Sequence, residues 1–252
     1  MTTALNEERR LARTRAASVQ TYARIAGVLF LLSLVGGGFG EAYVPSKLIV
    51  SNDATATAHN IQAFDSLYRM GFAGYLVEAV CDIALSLILY VLLRPVHKDL
   101  ALLAAFFGLV GTAAFAACEL FYLAPSLILG GAGYLKTFAP DQLNTLALLS
   151  LKLFAYGGEM FLVLYGVASV LRGYLIFQSW YLPKFLGVLI TLGGLAFIAK
   201  SFLQVLAGPA YAPAYLNLLI LPGLLSLTVW LLVSGVDVRK WEERAVTSDV
   251  KV

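Results

Sequence analysis

Hydrophobic residues along this chain are gathered into six long runs that are separated by short polar segments. About 20 apolar residues in a helix cross the hydrocarbon core of a bilayer, which is about 30 Å thick. Each run reaches that length, and charged side chains are scarce inside it. The pattern therefore predicts an all-α polytopic membrane bundle with six transmembrane helices: Tyr22–Tyr43, Leu67–Leu93, Leu100–Leu123, Leu143–Leu171, Pro183–Ala207 and Pro213–Val236.

Composition supports a single membrane domain. The chain has 252 residues, of which 60% are hydrophobic and 13% charged, whereas a soluble domain carries about 25% charged residues. We predict a six-helix membrane domain over residues 22–236, a basic tail over residues 1–21 and a second tail over residues 237–252. The polar, Arg-rich start followed by a long apolar run is not typical of a cleavable signal peptide, so the first span is expected to be retained.

The distribution of basic residues predicts the orientation. Six spans place both termini on one side of the membrane, and most of the 18 Lys and Arg residues fall on that side. They are Arg9, Arg10, Arg13, Arg15, Arg24, Arg94, Lys98, Arg172, Lys184, Arg239, Lys240, Arg244 and Lys251. Only Lys47, Arg69 and Lys136 fall at the opposite ends of the spans. By the positive-inside rule, both termini are expected in the cytoplasm.

Three short motifs predict local structure. Asn52-Asp53 is expected to cap a short helix in the longest outer loop. Pro140-Asp141 suits the first turn of a helix, because proline is favoured there and a carboxylate complements the helix dipole. The glycine run Gly36–Gly40 indicates either a weak point or a face for close helix packing in the first span.

Ionisable residues inside the spans are the best candidates for chemistry. Each costs about 2.5–3.5 kcal/mol or more at the centre of a bilayer, so each is expected to face the interior of the bundle and to have a partner. Their depths predict a polar pathway that enters from the outside and ends before the cytoplasmic side. The candidates for a substrate or ion pathway are Glu78, Asp82, Glu119, Lys152, Glu159, Lys200 and Glu41, with Arg69 at the outer edge.

Spacing groups some of these residues. Glu78 and Asp82 are four residues apart and share one helix face, and Lys152 and Glu159, two helical turns apart, share another. Two neighbouring carboxylates do not both ionise readily in a low dielectric, so we expect Glu78 and Asp82 to share a proton near neutral pH. Either these charges couple protons to a solute, or they form a static network in which the lysines neutralise the acids and fix the register of the helices.

Other kinds of site are not indicated. His59 and His97 are predicted on opposite sides of the membrane, so they do not form a common metal site. The sequence has neither a Gly-x-Ser-x-Gly motif nor a phosphate-binding Gly-rich loop ending in Lys-Ser/Thr. Cys81 and Cys118 are expected to pack as small hydrophobic side chains. We predict no catalytic, cofactor or metal residues, and no nucleic-acid partner.

Several segments resemble a known family. They are Arg24–Gly27 through Glu41-Ala42, Lys47–Val50, Tyr90–Val96 and Gly173–Ile176. Together they are similar to the bacterial multi-pass membrane family catalogued as domain of unknown function 4386. The resemblance implies a location in the bacterial inner membrane, and it implies no established activity and no catalytic residue.

Three functions remain open on this sequence. The first is a small proton-coupled transporter that binds a polar or cationic solute in an outward-facing cavity. The second is a non-enzymatic membrane partner, sensor or stress-response subunit whose charges are structural. The third, which the lack of a soluble domain disfavours, is an intramembrane enzyme. The expected partners are the lipid bilayer, protons and a small solute, and the sequence leaves the substrate and the oligomeric state open.

Overall fold

The computed structural model describes residues 2–208 and 216–249. All regular secondary structure in these two ranges is helical, which confirms the all-α prediction. The elements are α1 (Thr2–Gly37), a π-helical segment (Gly38–Tyr43), α2 (Val44–Leu48), α3 (Ala54–Ala63), α4 (Asp65–Leu93), α5 (Lys98–Ile128), a 3-10 turn (Gly133–Leu135), α6 (Pro140–Gln178), α7 (Lys184–Leu206), α8 (Asn217–Val233) and α9 (Val238–Asp249).

Five of the predicted spans coincide with helices that are long and apolar enough to cross a membrane: Val19–Leu48, Asp65–Leu93, Lys98–Ile128, Pro140–Gln178 and Lys184–Leu206. The sixth is present as α8, whose axis bends by 102° into α9, and the count is six if that bent pair is one span. The first residues of the predicted sixth span, 213–215, lie outside the described part of the chain. The chain is a multi-pass membrane protein.

The spans form a closed ring. In chain order α1, α4, α5, α6, α7 and α8 each pack against the next, and α8 packs back against α1. Neighbours run antiparallel. We call the end of the ring at residues 94–97 and 179–183 the proximal end, and the end at residues 49–64 and 129–139 the distal end. Helix α1 begins at Thr2, inside the predicted tail, and the side chains of Arg9, Arg10, Arg13, Arg15 and Lys251 lie outside the described ones.

Glycines allow three of these helix pairs to approach closely. A methyl group added at Gly36 of α1 would come within 2.8 Å of the Gly74 carbonyl oxygen of α4. The same addition at Gly166 of α6 would meet the Gly194 carbonyl oxygen of α7 at 2.8 Å, and at Gly223 of α8 it would meet the carbonyl oxygen of Leu189 at 2.8 Å. Small residues at such contacts let helix backbones pack directly in a membrane. The close-packing interpretation of the glycine run is therefore confirmed at Gly36.

Two apolar layers fill the two halves of the ring. The proximal half holds an aliphatic cluster that includes Leu85, Leu89, Leu186, Leu227 and Leu231, and each of these side chains is buried. The distal half holds an aromatic cluster built on Tyr68, Tyr75, Phe115, Tyr122 and Phe161. Along α4, Glu78 and Asp82 lie between the two clusters, whereas Glu119 and Glu159 lie at the depth of the aromatic cluster.

Helix α9 crosses the proximal end and is anchored there. The indole Nε1 of Trp241 donates a hydrogen bond of 2.9 Å to the carbonyl of Leu92, and the hydroxyl of Tyr181 donates one of 2.7 Å to the same oxygen. Burial raises the pKa of Tyr181, so its hydroxyl stays a donor. A hydrogen bond from Lys240 lowers the pKa of Asp237, which precedes the first turn of α9.

The predicted caps at the distal end are present. The Asp53 side chain accepts a hydrogen bond of 2.8 Å from the amide of Ala56 at the start of α3. Helix α3 then packs across α6 and α5 and buries Ile61. Helix α6 begins at Pro140, as predicted, but it runs unbroken to Gln178 and so extends past the predicted end of the fourth span.

Candidate functional site

Two adjacent cavities lie inside the ring. The first, which we call the central cavity, has a volume of about 230 Å³ and lies between α1, α4, α6, α7 and α8. Its polar lining consists of Ser33, Glu41, Glu78, Asp82 and Tyr165, and the rest is apolar, with Phe30, Phe197 and Leu224 among the lining residues. The aliphatic layer separates this cavity from the proximal end.

Glu78 and Asp82 line the central cavity together, as their spacing on one face of α4 predicts. Asp82 is only 6% exposed and accepts a hydrogen bond of 3.0 Å from the hydroxyl of Ser33 on α1. The carboxyl group of Glu78 lies against Gly37, where an added methyl group would come within 2.6 Å of Oε2. Glycine at position 37 therefore makes room for this carboxyl group at the contact between α1 and α4.

The second cavity, which we call the distal cavity, has a volume of about 290 Å³. Three charged side chains line it, from three different helical segments: Glu41 from the π-helical segment, Glu159 from α6 and Lys200 from α7. Pro45 in α2, Ile49 directly after α2 and Gln204 near the distal end of α7 also line it. The distal cavity therefore extends from the polar layer towards the distal end.

Glu41 links the two cavities, because it lines both, together with Phe161 and Leu162. Its side chain is exposed although it is inside the ring, since it borders open space on two sides. Glu41 lies on the π-helical segment Gly38–Tyr43. Single π-helical turns within α-helices occur frequently at functional sites, where the extra residue redirects a side chain.

Glu119 is close to this group but lines neither cavity. It is 1% exposed on α5, beside Cys118, whose sulfur packs against Gly157 of α6. Its Oε1, the Oε2 of Glu78 and the Oε2 of Glu159 are buried and have no hydrogen-bond partner among the described residues. A buried polar atom without a partner is costly, so these oxygens call for a proton, a water molecule or a cation.

Lys152 is not part of the group, although its spacing predicted a face shared with Glu159. Its side chain is exposed, whereas Glu159 is 6% exposed. Helices α6 and α7 run antiparallel with Gly166 packed on Gly194. Lys152 lies 14 residues before Gly166, so in this antiparallel pairing it would face a position about 14 residues after Gly194. Helix α7 ends before that position, at Leu206, and so does not cover Lys152. The prediction that Lys152 faces the interior is wrong.

Arg69 is also outside the group. It is exposed and forms an ion pair of 2.7 Å with Asp65, one turn earlier on α4. Both side chains lie at the distal surface, because they belong to the first two turns of α4 at its distal end. The local partner explains why Arg69 does not reach the cavities.

Arg172 is the cation that the sequence reasoning missed. The sequence places it among the basic residues on the cytoplasmic side, just after the predicted end of the fourth span, whereas it lies within α6 and is 6% exposed. Its Nη2 donates a hydrogen bond of 3.3 Å to the Ser86 hydroxyl, and its guanidinium lies 5.8 Å from the centre of the Tyr165 ring. Ser86 follows Asp82 by one turn on α4, so Arg172 lies directly on the proximal side of the central cavity. The signal in the sequence was the polar series Glu78, Asp82, Ser86 at four-residue spacing.

The cavities therefore hold charges without close ion pairs. Within residues 19–208 and 216–247, the ion pairs shorter than 4 Å are Asp65–Arg69, Arg239–Glu243 and Asp237–Lys240, all exposed. In the same part of the chain, no group of three or more His, Cys, Asp or Glu side chains is placed to hold a metal ion. The carboxyl groups that line the cavities therefore have no cationic side chain within 4 Å among the described residues.

Comparisons with known proteins place the chain in a family without assigning it an activity. No curated protein matches the sequence, and no solved structure matches it. The model of the family described as Domain of unknown function (DUF4386) matches residues 25–235, which include five helices of the ring in full and α1 from Ile25 onwards. This chain therefore belongs to the DUF4386 family.

Proposed function

We propose that this protein is a small proton-coupled transporter of the bacterial cytoplasmic (inner) membrane, which binds a small polar or cationic solute in the central and distal cavities. Glu41, Glu78, Asp82 and Glu159 are the groups that bind the proton and the solute. Arg172 and Lys200 offset part of their negative charge, and Glu119 contributes a further buried carboxyl group.

One observation carries this proposal: two glutamates that line the cavities each have a buried carboxyl oxygen without a hydrogen-bond partner in the described part of the chain. Glu78 is among the residues that line the central cavity and Glu159 among those that line the distal cavity, and Oε2 of each is such an oxygen. In a purely structural network each acid would be paired with a cation, because a buried unpaired charge is strongly destabilising. Unpaired acids beside open space are better suited to exchange protons and cations.

The positions of the basic residues predict which end of the ring faces the outside. Arg94, Lys98 and Lys184 lie at the proximal ends of their helices, Arg24 lies near the start of the apolar span Val19–Leu48, and Arg239 lies in the first turn of α9. By the positive-inside rule the proximal end, with both termini, is cytoplasmic. The distal cavity then opens outwards, and the aliphatic layer closes the pathway on the cytoplasmic side.

The test is proton movement in proteoliposomes with a trapped pH-sensitive dye, under an imposed K⁺ diffusion potential and with sodium, guanidinium or choline ions outside. The wild type is expected to move protons faster than empty liposomes in the presence of at least one of these ions. Glu78→Gln and Asp82→Asn should slow this movement by about tenfold or more, equivalent to about 1.4 kcal/mol. Asp99→Asn, which alters an exposed acid in the first turn of α5, is the matched control and should behave as the wild type.

A structural role for the charges is the second candidate. It is favoured by two interhelical hydrogen bonds, Ser33 to Asp82 and Arg172 to Ser86, which tie α1 and α6 to α4. In that case Asp82→Asn would lower the thermal stability of the detergent-solubilised protein, and proton movement would equal that of empty liposomes for every variant. That pair of results would exclude the transporter.

A further inference from the structure

The distal cavity combines aromatic rings with carboxyl groups. Five aromatic side chains from three helices are among its lining residues, namely Tyr75, Phe115, Tyr122, Phe154 and Phe161. The rings pack edge to face around Phe154 and Tyr75, with centroids 5.2 Å apart. Glu41 and Glu159 line the same space. The central cavity also has aromatic rings in its lining, those of Phe30, Phe161, Tyr165 and Phe197, but of the two cavities the distal one is the one that extends to Pro45, Ile49 and Gln204 near the distal end.

The hydroxyl groups of the two tyrosines are already used. The Tyr75 hydroxyl donates a hydrogen bond of 2.9 Å to the carbonyl of Gly40, and the Tyr122 hydroxyl donates one of 3.3 Å to the carbonyl of Tyr68. What these residues offer a ligand is therefore the ring, and not a polar group. A ring face attracts a cation that has shed its water, and methylated ammonium groups are recognised in this way.

The charged residues that line the distal cavity also favour a cation as its ligand. With Glu41 and Glu159 ionised against Lys200, the formal charge of the lining is that of one excess carboxylate. Glu159 is 6% exposed, and its Oε2 has no hydrogen-bond partner among the described residues. A monovalent organic cation satisfies this oxygen electrostatically and places its apolar groups against the rings. A volume of about 290 Å³ accommodates a small organic ammonium ion.

We propose that the distal cavity is a binding site for a small organic ammonium cation, a compound whose positive nitrogen carries methyl or methylene groups. The proposal rests on the proposed transport function and specifies its solute. In this arrangement the solute occupies the distal cavity, which extends towards the distal end. The proton is exchanged on Glu78 and Asp82 in the central cavity. Glu41 lines both cavities, so a ligand in one cavity affects the other through this residue.

The test compares two ligands of the same shape. Choline carries a trimethylammonium group, and 3,3-dimethyl-1-butanol is its neutral carbon analogue. Binding to the purified full-length protein in detergent is measured by calorimetry and by the ligand-dependent shift in thermal unfolding. Choline is expected to bind at least about tenfold more tightly than the neutral analogue. Equal binding of the two compounds, or no binding of choline at millimolar concentrations, would overturn the proposal.

Variants test the two parts of the site separately. Phe154→Leu keeps the cavity apolar but removes a ring, and it should weaken choline binding by about fivefold, equivalent to about 1 kcal/mol, while binding of the neutral analogue is little changed. Phe106→Leu, the same change at an exposed position on α5, is the control. Glu159→Gln should also weaken choline binding. If choline binds the wild type and Phe154→Leu equally well, the aromatic site is disproved.

The outcome is separable from that of the transport assay. Binding is measured in detergent without a gradient, whereas proton movement is measured in liposomes with sodium and guanidinium as well as choline. If proton movement depends on Asp82 but the protein does not bind choline, the transport proposal is supported and organic ammonium ions are excluded as its solute. If the protein binds choline but moves no protons, the binding site in the distal cavity is supported and proton coupling is excluded.

Discussion

At the scale of single residues, the interior charges are held by neutral partners and not by one another. Asp82 is bound by the hydroxyl of Ser33, and Arg172 by the hydroxyl of Ser86 and the ring of Tyr165. Serine hydroxyls stabilise a charge without cancelling it, so a carboxyl group bound in this way keeps its capacity to exchange a proton or a cation.

The environment of Arg172 predicts that its planar shape matters as well as its charge. A methyl group at Gly108 would come within 2.6 Å of its Nη2, so the guanidinium fills a close-fitting space between α4, α5 and α6. Arg172→Lys keeps the charge but loses the hydrogen-bonding fork and the stacking on Tyr165. We expect it to lower the free energy of unfolding, measured by SDS titration in mixed micelles, by about 1–3 kcal/mol.

The control for this substitution is Arg94→Lys, at an exposed position after the end of α4. Its free energy of unfolding should stay within about 0.5 kcal/mol of the wild type. If Arg172→Lys is as stable as Arg94→Lys, the guanidinium is not held by the contacts described above.

At the scale of elements, the position of the site depends on direct backbone packing between α1 and α4. Gly36 and Gly74 are in mutual contact, and Gly40 lies against the carbonyl oxygen of Gly71. This close approach brings the π-helical segment beside the middle of α4, and so brings Glu41 to the border of the cavity that Glu78 lines. A wider spacing of the two helices would separate these carboxyl groups.

The glycine run therefore predicts different effects at neighbouring positions. In Gly36→Ala the added methyl group would meet the Gly74 carbonyl oxygen at 2.8 Å, and the helices would have to separate. We expect a loss of about 1–3 kcal/mol in the free energy of unfolding by SDS titration, as for other overpacked positions. Gly38→Ala, where nothing lies within 4 Å of the added methyl group, is the matched control and should be tolerated. Equal stabilities for the two variants would contradict the packing described for α1 and α4.

At the scale of the whole molecule, the all-α architecture follows from the hydropathy pattern alone, because a span needs only length and apolar character. The pattern also places Glu78 and Asp82 correctly, since four-residue spacing fixes a shared helix face whatever the fold. The hydropathy pattern also predicts the five helices that are long and apolar enough to cross a membrane.

What sequence spacing does not provide is the extent of each neighbouring helix. Lys152 has the correct spacing to share a face with Glu159, but α7 ends before reaching it. The apolar run predicts that the fourth span ends at Leu171 and so leaves Arg172 outside it, whereas α6 continues to Gln178 and Arg172 lies in the interior. The π-helical segment that points Glu41 into both cavities depends on tertiary packing of glycines, and single-residue propensities do not reveal it.

Proton-coupled transport of a solute from the outside requires that the carboxyl groups border cavities that are open at the distal end and closed at the proximal end. The most direct test of this requirement is the labelling of single cysteines at Glu41 and Glu159, with Cys81 and Cys118 replaced by alanine. The reagent is a membrane-impermeant trimethylammonium methanethiosulfonate, added to one face of oriented vesicles at a time. Leu92→Cys, in the closed proximal layer, is the control.

We expect the cysteines at positions 41 and 159 to react with reagent added on the distal side, and we expect choline to slow the reaction at position 41, where Glu159 is kept. The cysteine at position 92 should react from neither side. If positions 41 and 159 are unreactive from the distal side, or react as fast from the proximal side, these carboxyl groups do not line a distally open cavity and the account is wrong.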